Sequence, residues 1–202
     1  LALYEKEGPA CVKRLRGMFA FAIWDKRRKR LFLARDRIGK KPLVYALRNG
    51  GLAFASELRS LFVWPGISPE INAKAVDLYL SLQYIPSPHT IYCGVHKLPP
   101  GHMLVFENGT VKIDRYWDFP LGQPALTKDP VEAAGILRAK LKESVKLRMI
   151  SEVPLGAFLS GGVDSSIIVA LMAELSEKPV KTFSIGFKED EFSETHFARQ
   201  VA

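Results

Sequence analysis

The chain has 202 residues and carries 29 Lys and Arg against 21 Asp and Glu, a formal charge of +8. With 48% hydrophobic and 25% charged residues it has the balance of a globular protein, and its length allows one domain or two small ones. No apolar run approaches the ~20 residues of a bilayer span, and two cysteines, Cys11 and Cys93, supply neither a disulfide framework nor a cysteine zinc site.

Charges interrupt the opening Leu1-Ala2-Leu3-Tyr4-Glu5-Lys6 at once, so it does not read as a signal peptide. There is no initiator Met, and residues 193–202 read as the start of a helix. A fragment of a reduced, cytoplasmic protein is expected. Cys11, internal to the chain, is expected to be a small buried residue.

The runs Met18-Phe19-Ala20-Phe21-Ala22-Ile23-Trp24 and Leu31-Phe32-Leu33-Ala34 flank Lys26-Arg27-Arg28-Lys29-Arg30. They predict a hairpin with its charges solvated at the tip. A basic run can also serve a nucleic acid, but no RNA- or DNA-binding signature accompanies this one, and no nucleic-acid partner is expected. Residues 42–47 and 52–55 flank Arg48-Asn49-Gly50-Gly51, whose Asn-Gly favours a tight turn. Residues 73–82 have helical spacing through Ala75, Val76, Leu78, Tyr79 and Leu82. Residues 102–106 then meet Glu107-Asn108-Gly109-Thr110, and Val111-Lys112-Ile113 returns as a second hairpin. Arg35, Asp36 and Glu57 suggest a buried ion-pair network at strand ends. The four histidines, at 89, 96, 102 and 196, lack zinc spacing. Mixed strands with few helices imply an antiparallel layered domain up to Trp117.

Residues 118–130 are rich in Pro and Gly and read as a linker. Residues 131–150 read as one amphipathic helix, with Ala134, Leu137, Leu141, Val145 and Met149 on one side and Arg138, Lys142 and Lys146 on the other. A strand over 153–159, a helix over 165–177 and a strand over 180–187 give this part α/β character. No internal repeat is present.

Between that first strand and helix lies Leu159-Ser160-Gly161-Gly162-Val163-Asp164-Ser165-Ser166. A Gly-rich loop at the carboxyl end of a strand aims backbone N–H groups above a helix N-terminus, where unpaired donors and the helix dipole favour an anion. Gly161 and Gly162 permit close approach, and the hydroxyls of Ser160, Ser165 and Ser166 add donors. Asp164 has two readings, a helix cap or a contact to phosphate-linked Mg²⁺. No Lys follows the glycines as in a P-loop, the three-glycine dinucleotide spacing is absent, and Phe158 stands where a hydrolase elbow needs Gly. An ordinary strand–helix turn is the remaining competitor.

Ser160-Gly161-Gly162-Val163-Asp164-Ser165 resembles the pyrophosphate loop (PP-loop) of the ATP pyrophosphatase superfamily. Arg16-Gly17-Met18-Phe19-Ala20-Phe21-Ala22-Ile23-Trp24-Asp25, Ala34-Arg35-Asp36-Arg37-Ile38-Gly39-Lys40-Lys41-Pro42-Leu43 and Phe54-Ala55-Ser56-Glu57-Leu58 resemble the second half of a class II glutamine amidotransferase domain. Lys97-Leu98-Pro99-Pro100-Gly101-His102 and Arg115-Tyr116-Trp117 continue that match. In this order the motifs resemble the glutamine-hydrolysing asparagine synthetase family across essentially the whole chain.

The resemblance implies an α+β part followed by an α/β part. Residues 1–117 would be the C-terminal part of an N-terminal-nucleophile glutaminase layered fold, 118–130 a linker, and 131–202 the start of a Rossmann-like PP-loop ATPase domain. In the family a terminal cysteine hydrolyses glutamine, and ammonia passes through a tunnel to a site where ATP adenylylates aspartate. Ammonia then displaces AMP to give asparagine. The nucleophile would lie before the point matching Leu1, so no catalytic residue is assigned here and the chain alone is expected to be inactive. The cofactor-binding set implied is Leu159, Ser160, Gly161, Gly162, Asp164, Ser165 and Ile185, with ATP and Mg²⁺ bound and Asp164 the metal contact. Ile185 would present its backbone to adenine; the competing reading, a core strand residue, is compatible with such a backbone contact. Met18 would lie near the tunnel or pack in the core. Glutamine, aspartate and ATP are the implied partners, no membrane is expected, and a homodimer is admitted. A β-lactam synthetase-like relative that adenylylates another carboxylate is the alternative.

Overall fold

In the computed structural model, residues 1–124, 126–189 and 193–202 are described, and the chain divides into two units, Leu1–Leu121 and Gly122–Ala202. The first unit begins with α1 (Ala2–Glu7) and a 3-10 turn (Gly8–Arg14). β1 (Ala20–Asp25) and β2 (Arg30–Arg35) then pair antiparallel as expected, with Asp25 opposite Arg30 at the turn. Asp25 holds that turn, because its Oδ1 accepts the backbone N–H groups of Arg27 at 3.0 Å and Arg28 at 3.1 Å. Residues 26–29 are exposed. Arg30 departs from the expectation: it opens β2, and its guanidinium meets Glu107 on the neighbouring strand at 2.8 Å. Replacing Lys26 and Arg27 by Gln is expected to change stability in urea unfolding by less than about 0.5 kcal/mol. A loss of several kcal/mol would show that the tip is packed.

β3 (Val44–Arg48) and β4 (Gly51–Ala55) turn through Asn49 (φ 50°) and Gly50 (φ 71°), both left-handed as an Asn-Gly hairpin requires. After α2 (Leu58–Leu61), α3 (Ala73–Leu82) and β5 (Val95–Lys97), β6 (His102–Glu107) and β7 (Thr110–Arg115) repeat the device at Asn108 (φ 52°) and Gly109 (φ 75°). The strands form a four-stranded antiparallel sheet, β1-β2-β6-β7, and a three-stranded one, β4-β3-β5. Leu33 and Leu104 of the first sheet pack with Tyr45 and Leu52 of the second, together with Leu43 and Leu98. Behind the first sheet, Phe32 and Ala34 are covered by Tyr4, Cys11 and Val12. Behind the second, Val44, Ala46, Ala53 and Val95 meet Leu61 of α2. Helix, sheet, sheet and helix thus form four layers. β2 lies inside them, so Phe32, Leu33 and Ala34 form an unbroken buried run.

Cys11 is 3% exposed, and burial pushes its thiol pKa up, so it has the character of a packed residue and not of an activated nucleophile. Cys93 is exposed. A thiol reagent is expected to label Cys93 fast and Cys11 only on unfolding; fast labelling of both would show that the 3-10 turn opens. Met18 is 47% exposed, which removes its core-packing account.

The expected ion-pair network does not form. The Arg35 guanidinium instead donates to three carbonyls, those of Lys41 (2.8 Å), Leu98 (2.7 Å) and Gly39 (2.8 Å). Asp36, fully buried, accepts the N–H groups of Lys40 and Lys41, each at 3.0 Å. Glu57 is exposed at the start of α2. The charges are spent on backbone groups because the loop after β2 turns away from its ladder and leaves them unpaired. Tyr116 seals the same corner: its hydroxyl donates to the Arg35 carbonyl at 2.7 Å, and burial pushes its pKa up to about 12.

In the second unit α4 (Pro130–Arg148) starts at Asp129, whose Oδ1 accepts the Val131 N–H at 3.0 Å, with Pro130 at the first helical position. β8 (Gly156–Phe158), α5 (Val163–Leu175), β9 (Lys181–Phe183) and α6 (Thr195–Val201) follow. β8 and β9 pair in parallel, from Gly156 opposite Lys181 to Phe158 opposite Phe183. Both strands are shorter than the expected 153–159 and 180–187, because a ladder extends only as far as its partner and, among the described residues, no other strand joins this pair. α4 lies on α5 through Val145, Leu171 and Met172, and Glu174 receives both Arg138 and Lys142. Among the described residues no helix is long and apolar enough to cross a membrane.

Candidate functional site

The parallel pair sends both strands out at the same end. β8 leads through Leu159 into the glycine loop and α5, while β9 leads into Ser184 and Ile185. Ligands of open α/β sheets lie outside the carboxyl ends of their strands, so this end is the place to look. Leu159 is buried with Val169 and Ala198 and anchors the loop in the core. Its N–H donates to the Phe183 carbonyl at 2.8 Å, and its carbonyl accepts the Ser184 hydroxyl at 2.6 Å.

Gly161 has φ +84°, and a Cβ there would lie 2.4 Å from the Phe197 carbonyl carbon and 2.6 Å from the Ala198 nitrogen. Glycine is therefore required twice over, for its backbone angle and for the approach of α6. The three hydroxyls behave differently from the sequence expectation. Ser165 Oγ meets Ser160 Oγ at 3.0 Å and donates to the Gly162 carbonyl at 3.1 Å, while Ser166 Oγ donates to that carbonyl at 2.7 Å. The Gly162 N–H donates to Ser160 Oγ at 3.3 Å. The hydroxyls close the loop on itself and hold its shape; they do not stand as free donors.

What the loop presents is backbone. The first intrahelical bond of α5 is Ser166 N–H to the Gly162 carbonyl, so the amides of Val163, Asp164 and Ser165 have no intrahelical acceptor. Gly162 is the N-cap, with no side-chain cap bond. The capping role offered for Asp164 is thereby corrected: Asp164 is the second residue of the helix, exposed, and its side chain makes no hydrogen bond or ion pair among the described residues. Its carboxylate is a hard oxygen donor, the ligand type that Mg²⁺ takes from proteins. Ile185 is 68% exposed beyond the end of β9, so it is not the core strand residue its alternative reading made it.

All seven residues singled out from sequence lie at this one end of the parallel pair. Sequence reasoning read a helix over residues 193–202, which α6 bears out, but missed that its Phe197 and Ala198 back the loop. Nothing in the local pattern marks a packing partner so far along the chain. His102 Nδ1 lies 2.7 Å from the Pro100 carbonyl, and no group of three His, Cys, Asp or Glu able to hold a metal occurs among the described residues.

Comparison with known proteins matches residues 1–117 to a glutamine amidotransferase domain and residues 136–202 to asparagine synthase. A protein of Methanocaldococcus jannaschii, provisionally named glutamine-hydrolysing asparagine synthetase 2, is 40% identical over all of this chain and 39% of its own length. Glutamine-hydrolysing asparagine synthetase 1 of Bacillus subtilis is 38% identical over all of this chain and 32% of its own length. A solved allosteric regulatory enzyme of purine biosynthesis is 16% identical at a TM-score of 0.38, over 97% of this chain and 38% of that one. The chain thus spans 32% to 39% of the length of the curated relatives named here. An amidotransferase match over more than half of its residues, followed by the asparagine synthase match, shows that the chain belongs to the glutamine-hydrolysing asparagine synthetase family.

Proposed function

We propose that the protein is a cytoplasmic, ATP-dependent asparagine synthetase that uses glutamine as its nitrogen source. In this reading residues 1–117 belong to the glutaminase part, 118–130 link the two parts, and 131–202 open the synthetase part. The observation that carries it is the loop after β8, where a glycine is held at φ +84° against α6 and the first-turn amides of α5, beside the exposed Asp164, have no intrahelical acceptor. Such an end binds phosphate, and family membership supports the rest.

The α-phosphorus of ATP is attacked by the aspartate side-chain carboxylate, and pyrophosphate leaves. Ammonia released from glutamine then attacks the acyl carbon, and AMP leaves with the proton balance returned to solvent. The amides of Val163, Asp164 and Ser165 would donate to the β- and γ-phosphates, so that fixed donors stabilise charge growing on the leaving group. Asp164 would hold Mg²⁺, which neutralises phosphate charge when bound. Ile185, exposed just past the end of β9, would offer its backbone to adenine. Unpaired Cys11 and Cys93 suit a reducing compartment.

The test is aspartate-dependent ATP–pyrophosphate exchange by the full-length protein, with asparagine formed when glutamine is added. Exchange that ignores aspartate but follows another carboxylic acid would assign it to the β-lactam synthetase-like alternative.

A further inference from the structure

We propose that Ser184 is a positioning residue whose hydroxyl locks the phosphate loop to the segment that faces the base. This deepens the nucleotide reading above and rests on it. The Leu159 peptide is the last one tied to both sides before the chain leaves the sheet. Its N–H reaches the Phe183 carbonyl at 2.8 Å as the ladder ends, and its carbonyl takes the Ser184 hydroxyl at 2.6 Å. The very next residues are Ser160, which opens the loop, and Ile185, which opens the exposed segment past β9. No backbone bond joins the two segments beyond this point among the described residues, so the side-chain hydroxyl is the final tie between them.

The geometry makes the tie consequential. Leu159 is 2% exposed and fixed in the core with Val169 and Ala198, whereas Ile185 is 68% exposed and has no such anchor. Ser184 passes the fixed position of Leu159 to the free segment. A nucleoside triphosphate spans both, its phosphates over the loop and its base over the residues after β9. If the spacing of the two halves is set beforehand, ATP need not order it on binding. Fragments of ATP that occupy one half alone gain nothing from the lock.

The experiment uses the full-length protein and compares Ser184→Ala, Ser184→Thr and wild type. The KM for ATP is read in aspartate-dependent pyrophosphate exchange, and adenosine and inorganic pyrophosphate are each titrated as inhibitors of asparagine formation. Ser184→Ala is expected to raise the ATP KM about tenfold, the scale of one lost hydrogen bond, with both inhibition constants within about twofold of wild type. Ser184→Thr, which keeps the hydroxyl on an extended backbone, is expected to restore the KM. An unchanged ATP KM in the alanine variant, or equal weakening of ATP, adenosine and pyrophosphate, overturns the lock while leaving the nucleotide reading intact. Wild-type protein that fails to bind ATP in equilibrium dialysis overturns both.

Discussion

Asp164→Asn in the full-length protein is expected to fold normally and to lose aspartate-dependent ATP–pyrophosphate exchange by roughly a hundredfold or more, the scale of removing one charge-stabilising group. Asn preserves the size and polarity of the side chain and is a good capping residue. Since Gly162 occupies the cap position, the substitution disturbs no hydrogen bond of the protein. A negative charge in the first turn of a helix contributes a few tenths of a kcal/mol through the dipole. Thermal unfolding is therefore expected to change little, and the loss is confined to the step in which pyrophosphate departs. The paired measurement is exchange rate and melting temperature. Exchange within about threefold of wild type leaves Asp164 without a metal role.

At Asp36 the expected effect is on stability. The carboxylate is fully buried and accepts two backbone N–H groups at 3.0 Å, and Asp36→Ala abolishes both charge-assisted bonds at once. Each such bond contributes about 1.5–3 kcal/mol, so a loss of about 3 kcal/mol or more is expected in the first unit's unfolding transition. Asp36→Asn keeps one carbonyl oxygen and is expected to lose less. Burial alone would raise this carboxyl, but the N–H groups of Lys41 and Lys40 outweigh it and hold its pKa below the usual carboxylate range. A group depressed in the folded state stabilises above its unfolded pKa, and that contribution fades as pH falls through the folded value. Wild type and Asp36→Asn should thus differ most near neutral pH and converge on acidification below the ordinary carboxylate range. A difference that instead grows with falling pH would show that Asp36 is protonated in the fold.

Apolar runs and turn signals, both local features, made the three hairpins of the first unit legible in the sequence. Asn49-Gly50 and Asn108-Gly109 dictate left-handed turns whatever surrounds them, and the strands on either side inherit their register from the turn. The helix over Ala73–Leu82 was equally plain from its spacing, and the structure adds Asn72 as its cap, whose side chain accepts the Ala75 N–H. Its apolar face was not: Ala75 is buried, whereas Tyr79 and Leu82 stay exposed, because periodicity names a stripe and only a packing partner decides how much of it is covered.

The glycine loop could be located from residue types alone, since strand, glycines and helix follow one another directly in the chain. The roles of its side chains could not. A hydroxyl satisfies whichever acceptor is nearest, and those of Ser160, Ser165 and Ser166 found the loop's own backbone. Arg35 and Asp36 likewise read as an ion pair, yet each serves the backbone of the loop between Gly39 and Lys41. The turns, the order of the elements and the position of the glycine loop were legible in the chain, because each depends on neighbours within a few residues. Only the tertiary structure decided what the polar groups do, that α6 backs Gly161, and that Ser184 reaches Leu159, because a buried polar group must be satisfied by whatever the fold brings beside it, from any distance along the chain.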